Sequence, residues 1–484
     1  MPSPLFLGLD LGTTNAKAAA YDLSGRLIGA AASSYATHYP QSGWAEQRID
    51  DWLAALSSAT QQLMATLGEH KHDLAAIGLS AQGPGLVPID AHGELLAETS
   101  PIWQDSRCVL EGQQLLEQLG GAWTGLGIMQ QSFPPRLKWA VAHNASLMAR
   151  ARYVLGIKDY LLYWLTGEIA TEPSQVAGGV EWSAKLIEAC GWSVERLPPV
   201  RSASEMVGKV RAPLVESLHL PRSLPVVSGI ADGAAATLSM GAIVPGQAVL
   251  TLATSGVIRV VMAQPVAPTV QLSHDLFCWH YLAGLWVAGG HIRSAASALQ
   301  WLGELSSSQT TANSLDQLLI AAEQSPVGSR GVRFLPYLLG RGTPKADESA
   351  RAAFLGLSLA HRQADLTRAV LEGVAFAYRE VLEDFVQMGE SIATLRISGG
   401  GARSPFWRQI LADVLNRPLA YYAADSTLGA AMVAAIGGAF YPDLATTVAA
   451  MVRAESSTDP STSQVARYEP VYQDYQQFRN RLYP

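Results

Sequence analysis

The sequence predicts an α/β protein of two domains with related topology and a cleft between them. A strand, a tight turn and a second strand occur twice, at residues 7–20 and again at residues 249–261. Strands and helices alternate in both halves, which is typical of α/β architecture. A cluster of glycine and proline at residues 241–246 indicates a boundary just before the second hairpin. We therefore expect one domain at residues 1–245 and a second at residues 246–484.

The first half contains short apolar stretches bounded by turn residues, which predict strands. We expect these strands at residues 5–10, 17–22, 27–35, 75–80 and 86–90, with a helix at about residues 51–67. A mostly helical insert follows at about residues 107–167. A proline-rich stretch then leads into a strand at residues 224–229, which ends just before Asp232.

The second half repeats this plan. Its hairpin is followed by a helix from about residue 293 and by a glycine- and proline-containing loop at residues 340–344. A long helix is expected at residues 363–388, then a strand at residues 395–398, a glycine run and another helix. The apolar run at residues 428–441 is too short and too rich in glycine to span a bilayer, so it predicts a buried helix.

Composition excludes several classes of protein. Hydrophobic residues make up 49% of the 484 residues and charged residues only 15%, which favours a large core over disorder. The net charge is −7 and no run of lysine or arginine occurs, so a nucleic-acid partner is not expected. The three cysteines lack metal-ligand spacing, and the N-terminus lacks a basic leader. We expect a cytoplasmic protein with no membrane contact.

Both hairpin turns have the features of phosphate sites. Each offers small residues with unshielded backbone N–H groups and two adjacent hydroxyls. The first turn contains Thr13 and Thr14, and the second contains Thr254, Ser255 and Gly256. As a matched pair, they predict a duplicated fold whose halves face each other across one nucleotide. The alternative is two ordinary hairpins with similar sequences.

Asp10 ends the first strand, directly before the first of these turns. A carboxylate beside a phosphate repels it unless a cation bridges the two, so we interpret Asp10 as a Mg²⁺ ligand, direct or through water. Lys17, on the outgoing strand, would add positive charge near the phosphates. A solvent-facing strand position is the alternative for Lys17.

Asp232 closes a strongly apolar strand and precedes a run of small residues. Open α/β sheets bind ligands at the carboxyl ends of their strands, so Asp232 is a candidate general base. Its position also fits the N-cap of the following helix. The two roles are compatible.

A glycine-rich loop follows the strand at residues 395–398. Gly400 and Gly401 allow the chain to approach a flat or anionic ligand closely, and Ser404 stands just before the next helix. The loop matches neither a Walker A sequence nor a dinucleotide fingerprint. On its own the pattern is therefore weak.

Trp103, Asp105 and Arg107 alternate along the chain, which predicts one shared face of an extended segment. A tryptophan ring and a charged pair on one face suit a sugar, because the ring stacks on C–H groups while the ions bind hydroxyls. The alternative is an interior salt bridge beneath a core tryptophan. The histidines are scattered without metal-ligand spacing; His291, which follows a strand-like segment at residues 285–290, is the one of interest, and we expect a structural role for it.

In this order the landmarks resemble the FGGY carbohydrate kinase family. The resemblance runs from Gly8 to about Phe440, and its strongest match is the segment 352–357 followed by 365–372. Further family landmarks lie at residues 43–47, 158–160, 165–168 and 334–337. Arg136 departs from the family pattern, in which lysine is usual. Within the family the chain is most similar to xylulokinases and related ketopentose kinases.

The resemblance implies a duplicated ribonuclease-H-like (actin-like ATPase) fold and an ATP- and Mg²⁺-dependent kinase. By position it implies a first phosphate site, a second phosphate site, an adenosine pocket, a catalytic base and a sugar-lining ring. Asp10, Thr13 and Thr14 would form the first phosphate site, and Thr254, Ser255 and Gly256 the second. Gly400 and Gly401 would form the adenosine pocket. Asp232 would be the catalytic base, and Trp103 would line the sugar site. The partners implied are a small sugar and ATP. The sequence leaves open whether the chain forms a homodimer.

Departures from the xylulokinase pattern concern the substrate. Xylulokinases usually carry Gln-Met-His-Gly where this chain has Gln82, Gly83, Pro84 and Gly85, and Asp-Asn where it has Asp232 followed by glycine. Both changes remove side chains expected to touch the sugar. A ketopentose such as xylulose is the predicted substrate, with Gln82, Gly83, Pro84, Trp103 and Asp105 lining its site. The alternatives are a kinase for L-xylulose or for another polyol or sugar acid, such as glycerol or gluconate, and an actin-like ATPase without a sugar.

Overall fold

A computed structural model describes residues 3–120, 132–177, 179–306, 312–392 and 394–483. Its strands are β1 (Leu5–Leu11), β2 (Asn15–Asp22), β3 (Leu27–Ser34), β4 (Glu46–Arg48), β5 (Leu74–Ala81), β6 (Val87–Ile89), β7 (Thr99–Pro101), β8 (Tyr153–Leu155), β9 (Met206–Lys209), β10 (Pro225–Val227), β11 (Ile230–Ala231), β12 (Ala248–Leu252), β13 (Gly256–Met262), β14 (Phe277–His280), β15 (Trp286–Ile292), β16 (Arg333–Leu335), β17 (Ala353–Leu355), β18 (Leu395–Ser398), β19 (Leu419–Tyr421) and β20 (Ser456–Thr458).

The helices surround these strands and fill the insert of the first half. They are α1 (Ile49–Leu67), α2 (Val109–Leu119), α3 (Phe133–His143), α4 (Ala145–Arg150), α5 (Ile157–Thr166), α6 (Ala184–Ala189), α7 (Ala212–Ser217), α8 (Asp232–Ser239), α9 (Pro268–His274), α10 (Ala296–Ser306), α11 (Ala312–Ala322), α12 (Gln363–Gln387), α13 (Pro405–Leu415), α14 (Ser426–Gly437), α15 (Leu444–Met451) and α16 (Thr462–Leu482). No helix of the described ranges is both long and apolar enough to cross a membrane.

Two mixed sheets form the framework, and they share one strand plan. The first has the order β3-β2-β1-β5-β10-β9, and the second has the order β14-β15-β13-β12-β18-β19-β20. In the first, β1 pairs antiparallel with β2 and parallel with β5. In the second, β12 pairs antiparallel with β13 and parallel with β18. The predicted pair of α/β units with related topology is thus confirmed.

Both predicted hairpins occupy the centre of their sheets. The strands β1 and β5 are almost entirely buried, since helices cover both faces of the first sheet. α1 covers one face, whereas α8 and α14 cover the other. The turns that follow β1 and β12 therefore lie at the ends of central strands, which their neighbours hold in place.

The helix α14 crosses the predicted division between residues 1–245 and 246–484. It belongs to the second stretch, yet it packs on β1, β5 and α8 of the first. Glycines make this contact possible, because a Cβ at Gly8 would lie 1.9 Å from the carbonyl oxygen of Thr427. A Cβ at Gly78 would lie equally close to the carbonyl oxygen of Ala430. The predicted buried helix is thus present, and it joins the two halves.

Candidate active site between the two sheets

A cavity of about 390 Å³ lies between the two halves of the chain. Its walls come from both halves, and no single element supplies them. The first half contributes, among others, Thr13, Gly83, Pro84, Trp103, Asp232 and Gly233. The second contributes, among others, Thr251, Ser255, Arg259, Trp279 and His291. The predicted cleft is therefore present, and several of the predicted site residues line it.

The two predicted phosphate turns border this cavity from opposite sides. Thr13 lines it from the first turn and Ser255 from the second. Thr14 and Thr254 lie at the exposed tips of the same turns. The second turn is anchored from behind, since the backbone N–H groups of Ala295 and Ser297 both donate to the carbonyl oxygen of Thr254. Gly256 opens β13 and is buried against the Tyr378 hydroxyl, so it shapes the turn rather than facing the cavity.

Asp10 is 3% exposed at the end of β1, where the Ser80 hydroxyl donates to Oδ1 at 2.5 Å. Burial raises the pKa of its carboxyl to about 6, while Ser80 and Lys17 act in the opposite direction. A nearby cation would therefore favour the ionised form. Mg²⁺ needs only one or two carboxylates when phosphates and water supply its other ligands, so Asp10 fits that ion. Within the described part of the chain, no cluster of three or more histidine, cysteine or acidic side chains is placed to hold a metal.

Lys17 forms a contact that the sequence did not indicate. Its Nζ lies 2.9 Å from Oδ2 of Asp425, which precedes α14. Burial alone would lower the pKa of the ammonium, but Asp425 and Asp10 raise it above its ordinary value. The side chain is therefore a charged link between the first sheet and α14, at the rear of the first turn.

Asp232 occupies the first position of α8 and lines the cavity. Its Oδ1 accepts a hydrogen bond of 2.6 Å from the backbone N–H of Gly233. Burial raises the pKa of the carboxyl, whereas the nearby charge of Arg259 lowers it. A buried carboxylate with a raised pKa can accept a proton from a bound hydroxyl more readily than an exposed one.

Three polar side chains, which the sequence did not single out for this role, hold the segment before Asp232, and two of them, Lys158 and Glu172, are fully buried. Lys158 donates to the carbonyl oxygen of Ser228 at 2.8 Å. Glu172 accepts from the Ser174 hydroxyl at 2.5 Å, and that hydroxyl in turn accepts from the backbone N–H of Ala231 at 3.0 Å. Burial raises the pKa of Glu172 to about 7, although Lys158 and Ser174 oppose the shift. These three residues position the base. Ser174 also lines the cavity, whereas Lys158 and Glu172 do not.

The shared face predicted for Trp103, Asp105 and Arg107 is wrong, because the chain turns at Trp103 instead of continuing as a strand. Trp103 alone lines the cavity, and its indole N–H donates to the Thr13 hydroxyl at 2.9 Å. Asp105 is fully buried and pairs with Arg107 at 2.6 Å. The same oxygen, Oδ2, accepts from the backbone N–H of Ala45 at 2.7 Å, while Oδ1 accepts from Nε and from the backbone N–H of Arg107. Asp105 thus supports the loop beneath Trp103 and does not reach the cavity.

The segment that departs from the xylulokinase pattern forms part of the wall. Gly83 and Pro84 line the cavity, but Gln82 points away from it. The Gln82 side-chain amide donates to Oε1 of Gln47 at 2.7 Å, and Gln47 donates to the carbonyl oxygen of Thr13 at the same distance. Gln82 therefore supports the first turn from behind.

The glycine-rich loop lies next to the end of β12, outside the lining of the cavity. Gly401 packs on the Leu252 side chain, whereas the space around Gly400 is open. Ser404 caps α13, since its hydroxyl accepts from the backbone N–H of Trp407 at 3.2 Å. The loop could admit a flat ligand at Gly400, beyond the second turn.

Sequence reasoning missed the residues that give the cavity its second wall. Arg259 and Trp279 both line it, and His291, expected to be structural, does so too. Burial, together with Arg259 and Arg293, lowers the pKa of His291 to about 3, so its ring is neutral. A signal for Arg259 was present, because it is the one charged residue within the apolar strand β13.

Two sheets of one strand plan that face a single cavity, with a hydroxyl-bearing turn from each and a carboxylate in its wall, suit an enzyme that transfers phosphoryl groups. The chain matches the family descriptions "FGGY family of carbohydrate kinases, N-terminal domain" over residues 5–239 and "C-terminal domain" over residues 248–438. It belongs to that family and is a carbohydrate kinase. The resemblance stated from the sequence is confirmed.

Individual relatives span the whole chain. The xylulose kinase of Escherichia coli (strain K12) is 30% identical and covers 99% of both chains. The solved structure of xylulose kinase from Rhodospirillum rubrum has a TM-score of 0.88 at 29% identity, again over 99% of both chains. Gluconate kinase from Lactobacillus acidophilus also has a TM-score of 0.88, at 25% identity, over 99% of this chain and 98% of its own.

Proposed function

We propose that this protein transfers the γ-phosphoryl group of ATP to a hydroxyl of a small sugar, with Asp232 as the general base. The observation that carries the proposal is the convergence of Asp232 and of both hydroxyl-bearing turns, through Thr13 and Ser255, on one cavity. Phosphoryl transfer depends mainly on positioning and on stabilisation of charge, and two rigid sheets facing one cavity suit both needs.

Each part of the site then has a task. The hydroxyl and N–H groups of the two turns hold the phosphates, while the loop at Gly400, Gly401 and Ser404 borders the adenosine. Asp232 accepts the proton of the attacking hydroxyl, and Trp103 covers the sugar. Mg²⁺, held near Asp10, would neutralise charge on the phosphates when bound. Closure of the two halves would exclude water from the transfer.

A ketopentose such as xylulose is the first candidate substrate, since full-length relatives from several bacteria are xylulose kinases. A sugar acid is the second candidate. It is supported by the similarity to a gluconate kinase and by a half-buried guanidinium in the wall of the cavity. The family match argues against the third interpretation of the sequence, an actin-like ATPase that needs no sugar.

We further propose that the protein works in the cytoplasm, where ATP is available. The three cysteines are buried and form no disulfide, as expected in a reducing compartment. A coupled ATP-consumption assay over ketopentoses, polyols and aldonates would identify the substrate. If ATP consumption rises with none of them, the sugar-kinase proposal is wrong.

Replacing the proposed base gives the first prediction. Asp232→Ala should lower kcat by about 10²–10⁴-fold, the range expected for the loss of proton transfer. Nucleotide affinity should change little, because in this proposal Asp232 contacts the hydroxyl of the sugar and not the nucleotide. Asp316→Ala, which removes an exposed carboxylate from α11, is the control and should keep wild-type kcat. If the Asp232→Ala enzyme keeps more than about a tenth of wild-type kcat, Asp232 is not the general base.

A further inference from the structure

The side chain of Arg259 lines the cavity, and its guanidinium makes few hydrogen bonds to the protein. It projects from β13, whose other residues are buried and apolar apart from the glycine that opens the strand. A guanidinium has five N–H donors. Among the described residues Arg259 uses one, from Nη1 to the Thr251 hydroxyl at 3.2 Å, and its buried Nε has no acceptor. A half-buried guanidinium with so few hydrogen-bond partners favours an anionic group as its ligand.

The space for this guanidinium is provided by the glycine beside the base. A Cβ at Gly233 would lie 3.3 Å from both Nε and Nη2 of Arg259, and 3.2 Å from the Trp279 ring. A side chain at this position would compete for that space, and the guanidinium would have to shift to admit it. The departure from the xylulokinase pattern at Gly233 is therefore matched by a cation from the opposite wall.

Trp279 adds a second donor on the same side. Its ring stacks on Phe277 at 4.2 Å between centroids, which fixes its orientation. The indole N–H is buried and has no acceptor among the described residues. Two neighbouring groups that can only donate hydrogen bonds favour a ligand rich in acceptor oxygens.

The charged side chains that line the cavity also favour a ligand rich in acceptor oxygens. Of the described residues that line the cavity, Asp232 is the one carboxylate and Arg259 the one permanent cation. Arg259 lowers the pKa of Asp232 through its charge, but the two side chains make no hydrogen bond to each other. His291 adds no charge, since its ring is neutral. A ketopentose, being neutral, would leave Asp232 as the one negative side chain that faces the guanidinium, without a hydrogen bond between the two.

We propose that Arg259 binds the carboxylate of the substrate, so that the sugar phosphorylated by this enzyme is a small sugar acid. The inference rests on the proposed kinase function and chooses between its two candidate substrates. A carboxylate accepts two parallel hydrogen bonds from a guanidinium, and its charge makes them stronger than hydrogen bonds to neutral sugar hydroxyls. Asp232 remains free to take the proton from a hydroxyl of the same molecule.

The test compares an aldonate with the amide of the same acid, which keeps every hydroxyl and lacks the charge. Wild-type enzyme should show a kcat/KM for the aldonate about 10²-fold above that for the amide, as expected for a charged hydrogen-bonded pair. Ketopentoses measured under the same conditions should also fall below the aldonate. Arg259→Gln should shrink the aldonate-to-amide ratio to within about threefold. Arg396→Gln is the control, because Arg396 lies on β18 of the same sheet, bonds to the Met240 carbonyl and does not line the cavity.

Other outcomes overturn the proposal in distinguishable ways. If ketopentoses are phosphorylated and aldonates are not, the kinase function stands and the assignment of Arg259 is wrong. If Arg259→Gln lowers kcat equally for all substrates, Arg259 acts on the γ-phosphoryl group instead. A preference for a phosphorylated sugar over the aldonate would identify a phosphate as the anion and also overturn it. Should the variant fail to fold, the wild-type ratio of aldonate to amide decides alone. If no compound stimulates ATP consumption, the kinase proposal itself fails.

Discussion

At the scale of single residues, the charge of Asp232 depends on two opposing neighbours. Burial raises the pKa of the carboxyl, and Arg259 lowers it. Asp10 is coupled to the same centre, since the charge of Asp232 helps to raise the pKa of Asp10. A base needs its ionised form in the free enzyme, so the balance between burial and Arg259 sets the lowest pH at which the enzyme works.

The dependence of kcat/KM on pH tests this balance. In wild-type enzyme kcat/KM should fall as the pH drops through a pKa above the ordinary 3.8 of an aspartate, because protonated Asp232 cannot accept a proton. Arg259→Gln removes the influence that lowers this pKa, so the acid limb should move to higher pH. The substrate for this comparison is the neutral amide, so that loss of carboxylate binding does not affect the result. The control variant Arg396→Gln should leave the acid limb of the pH profile at the wild-type pH. If the acid limb of Arg259→Gln stays at the same pH or moves to lower pH, Arg259 does not lower the pKa of the catalytic base.

Residues at strand ends were predictable, whereas those that converge from elsewhere were not. Asp10 and Asp232 follow apolar strands, and that pattern indicates a sheet edge without any knowledge of packing. The role of Glu172 depends on Ser174 and on the strand that it reaches, which lies far along the chain. Asp105 was misplaced because alternation implies a shared face only while the chain is extended, and here it turns.

At the scale of elements, α14 shows how a predicted helix acquires an unpredicted role. Its apolar sequence indicated burial but could not indicate which sheet it covers. Its backbone lies directly on β1 and β5 because Gly8 and Gly78 lack side chains. A hydrogen bond from Ser426, at the start of α14, also lowers the pKa of Asp10. The packing of this helix therefore supports the first turn.

Alanine at either strand glycine should disturb that packing. Gly8→Ala and Gly78→Ala would each place a Cβ 1.9 Å from a carbonyl oxygen of α14 and should cost about 1–3 kcal/mol, the usual effect of overpacking. Neither glycine has a positive φ, so backbone strain does not contribute. Gly29→Ala on β3 is the matched control, because its Cβ would meet only the ends of side chains such as Leu63. Thermal unfolding should show a clear loss of Tm for the first two variants, and equal losses in all three would contradict this account.

At the scale of the whole molecule, residues far apart in sequence connect the two halves around one cavity. Lys17 and Asp425, 408 residues apart, form an ion pair of 2.9 Å. That pair is partly exposed, and an exposed pair contributes little stability, so its value lies in placing α14 beside β2. The duplicated sheets then present equivalent turns to the same space.

The equivalence of the two turns leads to the prediction that concerns the whole enzyme. In a nucleotide-bound structure, Thr14 and Thr254 should face the ATP phosphates from opposite halves, because both stand at the tips of turns that border the cavity. Thr14→Ala and Thr254→Ala should each weaken ATP binding about threefold to tenfold, as expected for one hydrogen bond, and a fluorescence titration would measure this Kd. Asp232→Ala supplies the contrast, since it should abolish turnover and leave the same Kd nearly unchanged. Phosphates bound far from either turn, or an ATP affinity that depends on only one of them, would show that the repeated hairpins share a fold without sharing a ligand.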